Sequence, residues 1–181
     1  MRRFDRLAFL HERLTRHSGR IEPLALLLLR VWVALAFWKA GVVKFDDPAG
    51  TSYLFQDVYH VPLLPPDFAA FLGTWIELIT PWLLGLGILA RPTAAFLFVY
   101  NLICVISYPD LWPHGFWHGL MGDGFVDHKV WGMMLLVLIA RGPGAVSVDG
   151  IVGRLLGRRI GTSAAQGVGS DHPVVPAAAS E

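Results

Sequence analysis

Charge is scarce in this chain. Only 16% of its 181 residues are Asp, Glu, Lys or Arg, against about 25% in an ordinary soluble domain. Hydrophobic residues make up 54%, and the mean hydropathy is +0.51. That combination places the chain in the membrane class. The net charge of +1 supplies no basic excess to hold nucleic acid. Cysteine is nearly absent as well. With Cys104 alone, the chain can form no internal disulfide, no dithiol redox pair and no multi-cysteine zinc site. The sequence carries no glycine-rich nucleotide-binding motif and no repeat of solenoid period. No two histidines lie well inside an apolar run, so bis-histidine haem has no support. His114 and His118 are four apart, but Pro113 and Gly115 oppose the helix that metal binding at that spacing would need. No metal site is expected.

What the chain has in quantity is long apolar runs. They cover residues 23–45, 68–90, 92–108 and 125–140. A helix crosses a bilayer with about 20 residues, in a range of about 17–25. The first two runs meet that length, the third is near its limit and the fourth is short. The first is read as a retained helix, since the residues before it are too many for the n-region of a signal peptide.

The few cations are sorted. Arg2, Arg3, Arg6, Arg13, Arg16 and Arg20 precede the first run, Arg91 lies between the second and third, and Arg141, Arg154, Arg158 and Arg159 follow the fourth. From Phe45 to Asp67 there is no Lys or Arg, and after the third run there is none before Lys129. The positive-inside rule then puts both termini in the cytoplasm, which requires an even number of spans. The expected fold is all-α: an integral membrane four-helix bundle of the bacterial inner membrane, occupying residues 23–141, with short amphipathic helices at both cytoplasmic ends. Residues 1–22 form the first such segment, with Phe4, Leu7, Ala8, Leu10 and Leu14 on one side, suited to an anionic leaflet. Residues 142–160 form the second: Gly142-Pro143-Gly144 stops the fourth helix, and Ser147 caps a further one with Asp149 in its first turn. The small, polar tail at 161–181 is expected to be disordered. Two aromatic segments join the spans on the other side, and the first, with Tyr53, Phe55 and Tyr59, is long enough to cover the mouth of the bundle.

Ionisable groups inside a span cost about 2.5–3.5 kcal/mol or more each at its centre and are usually paired. The first run contains Arg30, Lys39 and Lys44. At about 1.5 Å per residue, Arg30 lies roughly 10 Å in from one end and Lys39 roughly 9 Å in from the other. Lys44, at the boundary, can snorkel. The second run has one acid, Glu77, and Pro81 removes the helical donor to the Glu77 carbonyl. The third adds Tyr100 and Asn101. The depths point to an inward cluster of Arg30, Lys39, Glu77 and Asn101, with Lys44 as an outer anchor. Such a cluster either fixes helix register or handles a small polar or amphiphilic ligand and its protons. His128 opens the fourth run, as a surface or cap residue or as part of an outer site. Cys104 reads as a packing residue.

"LLLRVWVALAFWKAGVVKF", "ELITPWLLGLGILARPTAAFLFVYN" and "DHKVWGMMLLVLIARGPGAVSVD", taken in order over residues 23–152, resemble the DoxX family of small inner-membrane proteins. The resemblance rests on Gly41 and Lys44, on Glu77, on Gly87 and Arg91, and on Gly142, Pro143, Gly144, Ser147 and Asp149. It implies a four-helix membrane bundle. The family is named for similarity to a subunit of thiosulfate:quinone oxidoreductase, and some members are linked to a membrane complex handling thiols and oxidative stress. The resemblance therefore implies a redox setting. Three functions follow as expectations. The first is a quinone-interacting subunit of a membrane redox complex, with Glu77, Lys39 and Arg30 as reacting groups, Asn101, Tyr100, Lys44 and His128 as ligand contacts, quinone as the cofactor and a redox protein as partner. The second is a non-catalytic anchor for a soluble protein. The third is a small-molecule or proton pathway. Self-association is compatible with each.

Overall fold

The computed structural model describes residues 3–156. Every regular element among them is helical. Helix α1 runs Arg3–Asp46, α2 Pro48–Tyr53, α3 Pro66–Leu86, α4 Ala90–Ser107, α5 Phe116–Met121 and α6 Val126–Arg141. A last helix, α7, covers 148–156. Three helices are long and apolar enough to cross a membrane: α1 from Ile21 to Asp46, α3 and α4. At 16 residues, α6 is about 24 Å long, short of that length. The expected first boundary moves. Helix α1 does not begin at Pro23 but passes through it as one 44-residue helix. The amphipathic face expected at residues 1–22 and the tail at 161–181 lie outside the described side chains.

Helix α1 packs along α3 and α4 along α6, while α1–α6 and α3–α4 contacts close the ring. Heptad-like spacing puts Leu26, Val33 and Phe37 of α1 on the inner side, against Leu84, Ala94, Leu97, Leu135 and Leu138. Val33, Leu84, Leu97, Leu135 and Leu138 are each 0% exposed, so they form a dry layer between the helices, in the half toward the α3–α4 turn. The outward faces of the long helices carry Trp32, Val43, Phe71, Trp82, Val99 and Met133, all exposed, as a lipid-facing surface requires.

One end, the near end, carries Arg30, the α3–α4 turn and the start of α7. The turn needs Gly87 at φ 71°, and Leu89, which precedes α4, makes no side-chain cap. Asp149 supplies the cap from α7: its Oδ1 and Oδ2 accept from the Leu89 and Ala90 amides at 2.9 and 2.8 Å. In return, the Asp149 amide donates to the Gly87 carbonyl at 3.0 Å. Ser147 donates to Gly144 at 2.6 Å and accepts from the Gly150 amide at 2.9 Å. Arg141 and Glu22 form an exposed ion pair at 2.5 Å.

At the far end, residues 47–65 fold over the helices. Phe55 packs with Ala69 and Ala70, flanked by Tyr59, Val61 and Leu64. The second connection is held by the Trp112 indole donating to the Val105 carbonyl at 2.8 Å. Lys129 stretches over the last carbonyls of α5, donating to Gly119, Leu120 and Gly122. A cation there satisfies orphan acceptors at a helix C-terminus.

Candidate functional site

Helices α1 and α3 approach most closely at Gly41 and Glu77. A Cβ on Gly41 would lie 2.8 Å from the Glu77 carbonyl carbon and 3.0 Å from its oxygen. Only glycine permits that approach, and the carbonyl it covers is the one whose helical donor Pro81 removes. This contact sets the register. One turn beyond Gly41 on the same face stands Lys44, and it reaches back to Glu77.

The Lys44 ammonium donates to Glu77 Oε2 at 2.5 Å, and the Tyr100 hydroxyl donates to Oε1 at 2.8 Å. The side chains of Lys44 and Glu77 are 18% and 5% exposed. Both carboxylate oxygens are thus engaged by donors from two other helices. A second polar pair joins α4 to α6. Asn101 donates through Nδ2 to the His128 carbonyl at 2.9 Å, and its Oδ1 lies 2.8 Å from His128 Nδ1. The His128 ring meets Trp131 edge to face at 5.0 Å.

Lys44, Glu77, Tyr100 and His128 all line one cavity of about 410 Å³. Its other walls are mainly apolar or aromatic, including Phe37, Phe55, Ile76 and Trp131, with Tyr59 and Tyr108 under the far-end cover. Leu72 of α3 and Phe96, Val99 and Ile103 of α4 also line it and are exposed at the molecular surface. The cavity therefore opens sideways between α3 and α4, two of the helices long and apolar enough to cross a membrane. Toward the near end it stops at the dry layer. Burial, together with Tyr108 and Glu77 nearby, pushes the Tyr59 phenol above its ordinary value.

The expected cluster is thus rearranged. Lys44, read as an outer anchor, is the inward cation. Lys39, read as inward, is exposed, because five residues turn it roughly 140° around α1 from Lys44. Arg30 is buried at 1% but belongs to the near end. It donates to the Val146 carbonyl and lies against Gly87, where a Cβ would sit 2.0 Å from its Nη1. Fourteen residues of helix separate it from Lys44, about 21 Å. Asn101 is buried and acts on His128 rather than on Glu77. Tyr59, Cys104, Tyr108 and Trp131 are cavity residues that spacing alone did not single out. The exposed His114 and His118 rings lie 5.8 Å apart, and no group of three or more potential metal ligands occurs among the described residues.

The DoxX family model matches residues 25–109, which take in Gly41, Lys44, Glu77 and Tyr100. An uncharacterized protein of Haemophilus influenzae is 29% identical over 137 residues, covering 75% of this chain and 87% of its own length. No solved structure matches significantly. The helices and the matched segment point the same way: the match through residues 25–109 supports membership of the DoxX family.

Proposed function

We propose that this chain is an inner-membrane protein that binds quinone as a subunit of a membrane redox complex. In this reading α6 joins α1, α3 and α4 as the fourth spanning helix, both termini are cytoplasmic, and the far end faces outward. The arginines of the near end support that orientation. The observation that carries the function is the Lys44–Glu77–Tyr100 cluster on the wall of a mainly apolar cavity that opens between α3 and α4.

The residues present suit such a ligand. A volume of about 410 Å³ falls within the range of about 300–1,000 Å³ usual for small-molecule sites. The opening between α3 and α4 gives an isoprenoid tail a path into the bilayer. When bound, quinone supplies two-electron carrier chemistry coupled to two protons. Lys44 has N–H donors beyond the one given to Glu77 and can orient a ligand oxygen. Glu77 lies beside that oxygen, and the Tyr100 hydroxyl, donating to Oε1, fixes the orientation of the carboxyl group. The dry layer keeps near-end water away, so proton exchange runs through the far end. Electrons come from a partner protein, since the chain has no dithiol of its own. The same dry layer weighs against a continuous pathway from one face to the other. The anchor reading draws on the basic near end and requires no ligand in the cavity.

Photo-crosslinking with a tailed azidoquinone in native membranes tests this reading. Adducts are expected on α3 and α4 around Ile76, Tyr100 and Cys104. Adducts confined to the lipid-facing surface, or none, would refute it and favour the anchor.

A further inference from the structure

The Asn101–His128 pair fixes which nitrogen of the imidazole is free. Asn101 Nδ2 donates to the His128 backbone carbonyl, so the amide cannot be turned over without setting oxygen against oxygen. Asn101 Oδ1 is then an acceptor, and the His128 Nδ1 beside it must carry the proton. In the neutral ring, Nε2 is left with a lone pair and has no partner among the described residues. His128 lines the cavity, and its Nδ1 edge is occupied by Asn101. The free edge is therefore the one available to a ligand.

The Lys44 side of the cavity has the other sign. Lys44 gives one of its three N–H donors to Glu77, so what it offers to the cavity is hydrogen-bond donors. From this geometry we infer that the cavity is a two-pole site with a donor at Lys44 and an acceptor at His128 Nε2, which selects the dihydroxy form of the ring ligand, a hydroquinone, over the quinone. The inference rests on the quinone reading above and adds the redox form and the residue that chooses it. A hydroquinone hydroxyl can accept from Lys44 at one pole, and its second hydroxyl can donate to Nε2 at the other. A quinone has only acceptors. Its second carbonyl would face the Nε2 lone pair and leave both groups unpaired, which a buried site resists. Asn101 is a positioning residue here: it acts on the ligand only through the imidazole.

The test is competition binding to the purified full-length protein in nanodiscs, kept anaerobic. Three probes share one short isoprenoid tail: a hydroquinone, its quinone and its dimethyl ether, which cannot donate. The native protein is expected to bind the hydroquinone at least about tenfold more tightly than the other two, a difference of about 1.4 kcal/mol. His128→Phe should remove the preference. His128→Gln, whose amide can pair with Asn101 or accept from the ligand, should retain part of it. Asn101→Ala should weaken the preference, because Nδ1 then loses the acceptor that keeps Nε2 free. Equal or tighter binding of the quinone by the native protein overturns the inference, as does an undiminished preference in His128→Phe. Binding of none of the three probes overturns the quinone reading itself, and this inference with it.

Discussion

Removing Lys44 alone should harm the protein more than removing Lys44 and Glu77 together. Lys44→Met leaves the Glu77 carboxylate, 5% exposed, with Tyr100 as its remaining donor. Breaking one partner out of a buried pair costs about 3–5 kcal/mol. The ammonium here is 18% exposed, so the lower end, about 3 kcal/mol, applies. Glu77→Gln is milder, about 1–2 kcal/mol, because Gln still accepts from Tyr100 and the freed Lys44 can turn toward the far-end water. The double variant removes both charges and should cost about 1–2 kcal/mol, since well-packed neutral residues often replace a buried pair without loss. The coupling energy is then about 3 kcal/mol, far above the roughly 0.5 kcal/mol expected of independent sites. SDS titration of the four proteins in mixed micelles, followed by far-ultraviolet circular dichroism, reads these values. Additivity within about 0.5 kcal/mol would show that the pair does not exist as described.

Further expectations concern single positions. Lys39→Gln should leave stability and ligand retention unchanged, because Lys39 faces outward, while Lys44→Gln should lower both; the reverse pattern would restore the arrangement expected from depth alone. Gly41→Ala forces α1 away from the Glu77 backbone and should cost about 1–3 kcal/mol, measured by the same titration. Asp149→Ala uncaps α4 and should cost about 1–2 kcal/mol, with faster amide exchange at Leu89 and Ala90 as its local signature. Tyr59, raised by burial, favours the neutral phenol in the folded state. Its contribution is complete below the ordinary tyrosine value of about 10 and is lost as pH rises through the raised value. Alkaline titration should therefore destabilise the native chain more than Tyr59→Phe.

Much of the helical plan could be read from sequence, because bilayer length and the sorting of cations are strong constraints. The run at 68–90 became α3 at Pro66–Leu86, and 92–108 became α4 at Ala90–Ser107. Pro81 did not break α3, since its cost falls on one carbonyl, and Gly41 packs over that carbonyl. The assignment of the two lysines failed for a specific reason. Helical phase, not depth, decides which lysine faces inward. Arg30, Val33, Phe37, Gly41 and Lys44 form one stripe at spacings of three and four, and Lys39 lies off it. That stripe was visible in the sequence, with the glycine one turn before Lys44 marking the close helix contact. Antiparallel register then separates the cations. From the Gly41–Glu77 contact, eleven residues down α1 reach Arg30 and ten along α3 reach Gly87, so Arg30 meets the near-end turn rather than the acid. Asp149 capping α4 and Lys129 capping α5 depend on tertiary placement, and no local spacing announces either contact.

The central claim is that the Lys44–Glu77–Tyr100 wall holds a quinone. Mass spectrometry of the quinones and lipids retained by the gently purified protein, compared with Glu77→Gln, tests it most directly. Quinone retained by the native chain and lost from the variant is the predicted result. Quinone absent from both, or present equally in both, would contradict the account and leave the near-end surface as the part of the molecule to pursue.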